Sequence, residues 1–181
     1  MLEARGGRKR GTGLARADLG RWATALKGLR IVRKDVPSLL VASVHHRGPC
    51  GDCDALFATL RHTVGDAVAG SALCVFGIAS AGDSLDVECG LPVTRPVQGG
   101  PVRTRHLPGG TVLAATHRGP DRTLAESWEA LYDYIEAANV DVVGARREVY
   151  LERDMSGREE HVTELQVPVE LAQDRGARDA R

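Results

Sequence analysis

Three glutamates and a tyrosine are the side chains best suited to chemistry in this sequence. Glu148 and Tyr150 are two apart, as are Glu164 and Gln166, and residues two apart on a strand share a face. Leu165, Val167 and Val169 fall on the opposite face of their strand. This alternation predicts a sheet whose apolar side packs beneath helices. Its other, concave side would collect Glu148, Tyr150, Glu164, Gln166 and, from the first half of the chain, Glu88. Acids in such a groove can balance a cationic ligand, accept from its donors, or activate water as a general base while a phenol donates a proton. Glu164 lies in the most apolar strand, where a carboxylate must be paired, protonated or functional. The structural alternative for Glu164 is a bond to a nearby Tyr or Arg, and for Glu148 an ion pair with Arg146 or Arg147. For Glu88 it is simple solvation. Trp128 serves either as core or as a ring offered to a ligand. Tyr132 and Tyr134 cannot both face the core from one helix.

Other reactive residues form weaker patterns. Cys50 and Cys53 are spaced as half of a zinc site, with His45 and His46 upstream, but no second such pair follows. Cys74 and Cys89 fall in strands, so no metal site and no cofactor are expected. His46 and His117 occupy equivalent strand ends and read as turn-stabilising residues.

The elements that must position these groups occur twice. His46-Arg47-Gly48-Pro49 returns as His117-Arg118-Gly119-Pro120. Glu88-Cys89-Gly90-Leu91-Pro92-Val93 is echoed, in the same order along the chain, by Glu164-Leu165-Gln166-Val167-Pro168-Val169. The two offsets differ only by a loop-sized insertion. The first unit reads as a strand over 38–45, a helix over 55–64 carrying Leu56, Leu60 and Val64, and strands over 72–78 and 85–93. The second reads as a strand over 111–116, a helix over 124–138 with Trp128, Leu131 and Ile135 as its stripe, and strands over 148–151 and 162–169. The polar stretch 94–108 reads as their connector. The expected fold is α+β: a pseudo-two-fold tandem repeat of β-α-β-β units, an antiparallel sheet with helices on one face and a ligand groove on the other. Residues 1–30 read as a basic, disordered tail and a short helix over 19–29, with Leu19, Trp22, Leu26 and Leu29 on one face. The domain would span 31–170, its repeats covering about 38–93 and 111–169, followed by a polar tail over 171–181.

Formal net charge is zero, so no global field draws the chain to nucleic acid or membrane. Four cysteines without an apolar leader suit a reducing, cytoplasmic setting.

The strand ending in His-Arg-Gly-Pro, the helix with Trp128 and Leu131, and the runs Glu148-Val149-Tyr150-Leu151 and Thr163-Glu164-Leu165-Gln166-Val167-Pro168-Val169 together resemble the GyrI-like, gyrase-inhibitor-type effector-binding domain, which also forms the drug-sensing half of many transcription regulators. The resemblance covers about residues 31–170. It implies a central pocket for bulky hydrophobic or cationic small molecules, with its acids at Glu148 and Glu164. Where the family carries an aromatic after each Gly-Pro, this chain has Cys50 and Asp121, which weakens an aromatic cage for cations. Three functions follow as expectations. The first is a sensor or sequestering module that uses Glu148, Glu164, Tyr150, Trp128 and Glu88. The second is a hydrolase opening cyclopropane rings of DNA alkylators, with Glu164 as base and Tyr150 or Glu148 as donor. The third is a protein-protein inhibitor acting on a DNA gyrase. The segment ahead of Ile31 is too short for a helix-turn-helix, so the expectation is either a stand-alone member of the family or a DNA-contacting part outside this chain. The domain itself is expected to bind neither nucleic acid nor membrane.

Overall fold

The computed structural model describes residues 24–26, 28–48, 53–77, 85–153 and 161–170. Among these, the order is β1 (Thr24–Leu26), β2 (Leu29–Val36), β3 (Leu39–Gly48), α1 (Cys53–Val64), β4 (Leu73–Phe76), β5 (Leu85–Pro92), β6 (Arg103–Leu107), β7 (Gly110–Gly119), α2 (Leu124–Ala138), β8 (Asp141–Val142), β9 (Arg146–Glu152) and β10 (His161–Glu170). These strands join one sheet, ordered β1-β2-β7-β10-β9-β4-β5-β3-β6, with β8 pairing the end of β10. Each of their pairings is antiparallel. The fold is therefore α+β, as the repeats predict.

The pseudo-symmetry is visible in the strand order. The central run β7-β10-β9-β4-β5-β3 reads the same from either end once β7 is matched with β3, β10 with β5 and β9 with β4. Repeat meets repeat at the β4–β9 pair. The leading strands are exchanged: β2 precedes β3 in the chain but pairs with β7, and β6 precedes β7 but pairs with β3. Both connections carry a proline, Pro37 and Pro108, separated by the same offset as the two His-Arg-Gly-Pro segments. They lie in direct contact, with Ser38 Oγ donating to the Leu107 carbonyl at 3.1 Å. Arg147 Nη2 donates to the Pro108 carbonyl at 2.9 Å and ties this crossing to β9.

Each helix covers its own half of one sheet face. In α2, Trp128, Leu131 and Ile135 are buried, three positions on one stripe. They pack on Ile31, Leu113, Ala115, Leu165 and Val167. The helix ends at Asn139 in the left-handed conformation, φ 51°, which asparagine tolerates better than most residues. In α1 the buried stripe is Phe57, Leu60 and Val64, with Leu56 at its margin. Beneath it lie Val44, Cys74, Cys89, Leu91 and Tyr150. The opposite sheet face has a smaller apolar cluster, Val41, Leu73, Val75 and Leu107, backed by Leu39 and Val149.

Two sequence expectations change here. Thr24–Leu26 and Leu29–Val36 are strands, where the apolar spacing suggests a helix over 19–29; Leu19 and Trp22 lie outside the described residues, as do the tails over 1–23 and 171–181. Leu29 and Ile31 alternate into the α2 core, and pairing with β7 outweighs the local helical pattern. The connector contains a strand, β6, whose Arg-Thr-Arg-His-Leu sequence is mostly exposed. An edge strand needs no apolar run and is protected by its charges.

The crossing depends on Gly109. A Cβ there would stand 2.5 Å from the Ser38 nitrogen and the Val36 oxygen and 2.6 Å from the Pro37 carbonyl carbon. These are backbone atoms that cannot rotate away. Gly109→Ala is expected to lower unfolding stability by about 1–3 kcal/mol, read from the urea midpoint; an unchanged midpoint would show that the crossing spreads freely.

Candidate functional site

The cross-strand register decides which side chains meet. In β9 and β10, Glu148 stands opposite Leu165, Tyr150 opposite Thr163, and Val149 opposite Glu164. Directly opposed residues share a face. Glu148 and Tyr150 therefore lie under the helices, and Glu164 and Gln166 on the open side. The predicted set is split: each strand's internal alternation is as expected, but the phase of one strand against the other is reversed. Glu88, opposite Val75 and His45, belongs with Glu164 on the open face.

Glu148 occupies a special place on the helix side. It faces Cys74 across the β4–β9 seam, flanked by the pairs Leu73–Val149 and Val75–Arg147, so the pseudo-two-fold axis passes between Glu148 and Cys74. Among the described acids, Glu148 alone is buried. Trp128 Nε1 donates to its Oε1 at 2.9 Å and Tyr150 OH to its Oε2 at 3.0 Å. Both donors are uncharged, and among the described residues no Lys or Arg forms an ion pair with it. Burial, reinforced by Cys74 and Glu148, pushes the Tyr150 phenol well above its ordinary pKa, so it stays a proton donor.

Aromatic rings and arginines surround this carboxylate. Phe57 meets Tyr150 edge-on at 5.8 Å, and Tyr132 stacks on Trp128 at 5.8 Å. Tyr134 instead packs at the margin of the α2 core. The Arg146 guanidinium lies 4.9 Å from the Trp128 ring centre and 5.1 Å from that of Phe76. Arg153 lies 4.4 Å over Tyr150 and also bridges Asp54 of α1 at 3.4 Å and Asp121 at 2.8 Å. Asp121, standing where the family resemblance calls for an aromatic, thus anchors a cation over a ring. Phe57 and Arg153 escaped sequence reasoning because their roles arise only when distant elements pack together over the seam, and Arg146, expected as an ion-pair partner of Glu148, lies instead against the Trp128 and Phe76 rings.

Glu164 and Glu88 are members of one duplicated ion pair. Lys34 Nζ donates to both oxygens of Glu164 at 2.7 Å, and Gln166 Nε2 to Oε1 at 2.6 Å. Arg105 Nε donates to Glu88 Oε1 at 2.7 Å, Arg105 Nη2 to its Oε2, and Ser43 Oγ to Oε1 at 2.5 Å. Lys34 and Arg105 are offset in the chain as the two His-Arg-Gly-Pro segments are, and Glu88 and Glu164 as the strands that carry them. That shared offset was the signal by which the sequence could have matched each acid with its base. Each pair reaches across the first strand of a repeat and fastens an exchanged leading strand.

The open face also holds a cavity of about 250 Å³, lined by Leu39, Leu73, Leu107, Val149, Gln166 and Arg147 among others. Of the remaining candidates, His117 Nδ1 shares a hydrogen bond with Ser127 Oγ at 2.8 Å, linking β7 to α2. Cys50 lies outside the described residues, while Cys53, Cys74 and Cys89 are within the α1 side of the fold.

Burial disfavours the charged form of Glu88, but hydrogen bonds from Arg105 and Ser43 outweigh it and hold the carboxyl below its usual range. A depressed folded-state pKa stabilises the fold above the unfolded value, about 4.3 for Glu, and this contribution is lost as pH falls through the folded value. Arg105→Gln is therefore expected to lower stability at pH 7 and to flatten the loss below about pH 4.3, measured as melting temperature against pH. Parallel profiles for variant and parent would show that the pair contributes nothing.

Known proteins share this fold. The model of the GyrI-like small molecule binding domain matches residues 31–170, and no curated protein matches the chain. The EcmrR C-terminal domain superposes with a TM-score of 0.69 at 18% identity, over 78% of this chain and 98% of that one. EcmrR in its DNA complex gives 0.70 at 18% identity, over 78% of this chain and 57% of that one, so the chain spans a little over half of that protein's length. A hydrolase from Listeria innocua gives 0.57 at 17% identity, over 77% and 91% of the two chains. SAV2435, bound to tetraphenylphosphonium, gives 0.55 at 14% identity, over 76% and 92%. At these identities the likeness is one of fold. The family match takes in both repeats and both helices, and on that ground the chain belongs to the GyrI-like small molecule binding domain family.

Proposed function

We propose that this domain binds a bulky, hydrophobic, cationic small molecule between α1 and α2, with Glu148 as the acid that recognises it. The observation that carries this reading is the buried Glu148 carboxylate, held among the described residues by the uncharged donors of Trp128 and Tyr150. A buried carboxylate without a countercharge is costly, and a ligand's positive charge or strong donor offsets that cost. The flanking rings of Trp128, Tyr150 and Phe57 offer faces to an aromatic ligand, in exchange for the guanidiniums of Arg146 and Arg153 now against two of them. The open-face cavity presents Arg147 and its neighbouring acids are already paired, so it suits a cation poorly. The tetraphenylphosphonium complex of SAV2435 supports the ligand class by analogy of fold. In this reading the protein is a cytoplasmic sensor or sequestering module, with a DNA-contacting regulator or a gyrase as the proposed partner.

Hydrolysis is the second reading, favoured by the Tyr150–Glu148 contact. Glu148 would take a proton from water as the phenol gives one to the leaving atom of a strained ring, so that the product is the substrate plus one water. Glu148, not Glu164, is then the base, because Glu164 and Tyr150 stand on opposite faces of the sheet.

Calorimetric titration with tetraphenylphosphonium tests the binding site. Glu148→Gln is expected to weaken binding about tenfold or more, equivalent to about 1.4 kcal/mol, while Glu164→Gln leaves it unchanged. The reverse pattern would move the site to the open face. For the second reading, incubation with a cyclopropane-bearing alkylator should return product heavier by one water from the parent and none above background from Glu148→Gln; unchanged ligand from the parent would reject hydrolysis of that class.

A further inference from the structure

The small-molecule reading leaves a second cluster on the helix-covered face unused. Cys53 opens α1, Cys74 lies in β4, and Cys89 in β5 stands directly opposite Cys74. The three Sγ atoms all lie within 4.8 Å of one another, and those of Cys74 and Cys89 are 3.1 Å apart. Cys74 and Cys89 are fully buried. Cys53 is partly exposed, which gives an ion a way in at the start of the helix. Three elements thus bring to one point the soft ligand atoms that the sequence shows only as scattered residues.

We infer that Cys53, Cys74 and Cys89 form a three-thiolate site for a soft, thiophilic metal ion of the Zn(II), Cd(II) or Cu(I) class. A metal–sulfur distance of about 2.3 Å in a three-sulfur arrangement sets the sulfurs about 4 Å apart, within the span already present. Thiolates select such ions over magnesium or calcium. Binding a divalent ion converts three thiols to thiolates, releases three protons to solvent and leaves one net negative charge. Arg153, held over the neighbouring Tyr150 ring, is the nearby cation that would offset it. Tyr150 belongs to the same buried cluster as Cys74 and bonds Glu148, so the metal site and the proposed ligand site adjoin. The inference stands whether or not a small molecule binds at Glu148.

Zinc X-ray absorption on the full, reduced chain tests it. The expected result is one zinc per chain, three sulfur neighbours at about 2.3 Å, and a higher melting temperature on metal addition. Cys53→Ser, at the partly exposed helix start, should remove one sulfur neighbour and weaken zinc at least tenfold in competition with a chelator, with the metal-free melt close to the parent's. Because Cys74→Ser places a hydroxyl in a closed core, the sulfur count in the parent is the measurement independent of that variant's folding. Nitrogen-dominated coordination, fewer than three sulfurs, or zinc binding insensitive to Cys53→Ser would overturn the inference. A reduced chain that takes up no zinc yet closes a Cys74–Cys89 disulfide in air would overturn it in favour of a redox pair.

Discussion

The pairing of β4 with β9 is the constraint on which the rest of the structure depends. Each β-α-β-β unit has a helix over three strands, and either unit alone would leave the innermost edge of those strands unpaired. Joining at β4–β9 removes both edges and fuses the two helix-covered cores into one face. The seam also places Cys74 opposite Glu148. The residues nearest the axis are therefore chemically unlike although their positions are equivalent. One half supplies sulfur and the other a carboxylate, and the two candidate sites lie side by side.

The exchanged leading strands make that seam hard to part. Because β2 pairs with the strand of the second repeat and β6 with that of the first, separating the halves would also strip two strands from their neighbours. The same logic appears in side chains. Lys34–Glu164 and Arg105–Glu88 are duplicate latches on the open face. Exposed pairs of this kind contribute modestly, and here each bridges strands that are not adjacent. Two of the three glutamates singled out in the sequence are thus ion-paired on the open face, whereas Glu148 is bonded to Trp128 and Tyr150.

Arginines as well as aromatic rings surround Glu148. Arg153 sits over Tyr150 while bonded to Asp54 and Asp121, and Arg146 sits between Trp128 and Phe76. The protein thereby places its own cations on the ring faces next to a carboxylate. In the proposed reading a ligand entering there would exchange one cation–π partner for another, and selectivity would rest on shape and on the bond to Glu148 more than on gross charge.

Much of the fold was legible from sequence because it depends on local periodicity. The duplicated His-Arg-Gly-Pro segments mark β3 and β7, the stripe Trp128, Leu131, Ile135 defines α2, and the alternation in Glu164–Val169 orients β10 on its own axis. β2 and β6 were not legible: both are rich in charge, and each pairs with a strand of the other repeat, far along the chain. The candidate site was legible only in its members. That Glu148 and Tyr150 share a face follows from the strand's alternation, and so does the shared face of Glu164 and Gln166. Which face each pair occupies depends on the register between β9 and β10, and a slip by a single position inverts it. Sequence by itself determined the repeat, the helices and the residues able to do chemistry. Only the tertiary structure decided that Glu148 meets Trp128, that Glu164 meets Lys34, and that three distant cysteines converge, because those contacts are set by strand pairing and helix packing over long separations that local pattern does not encode.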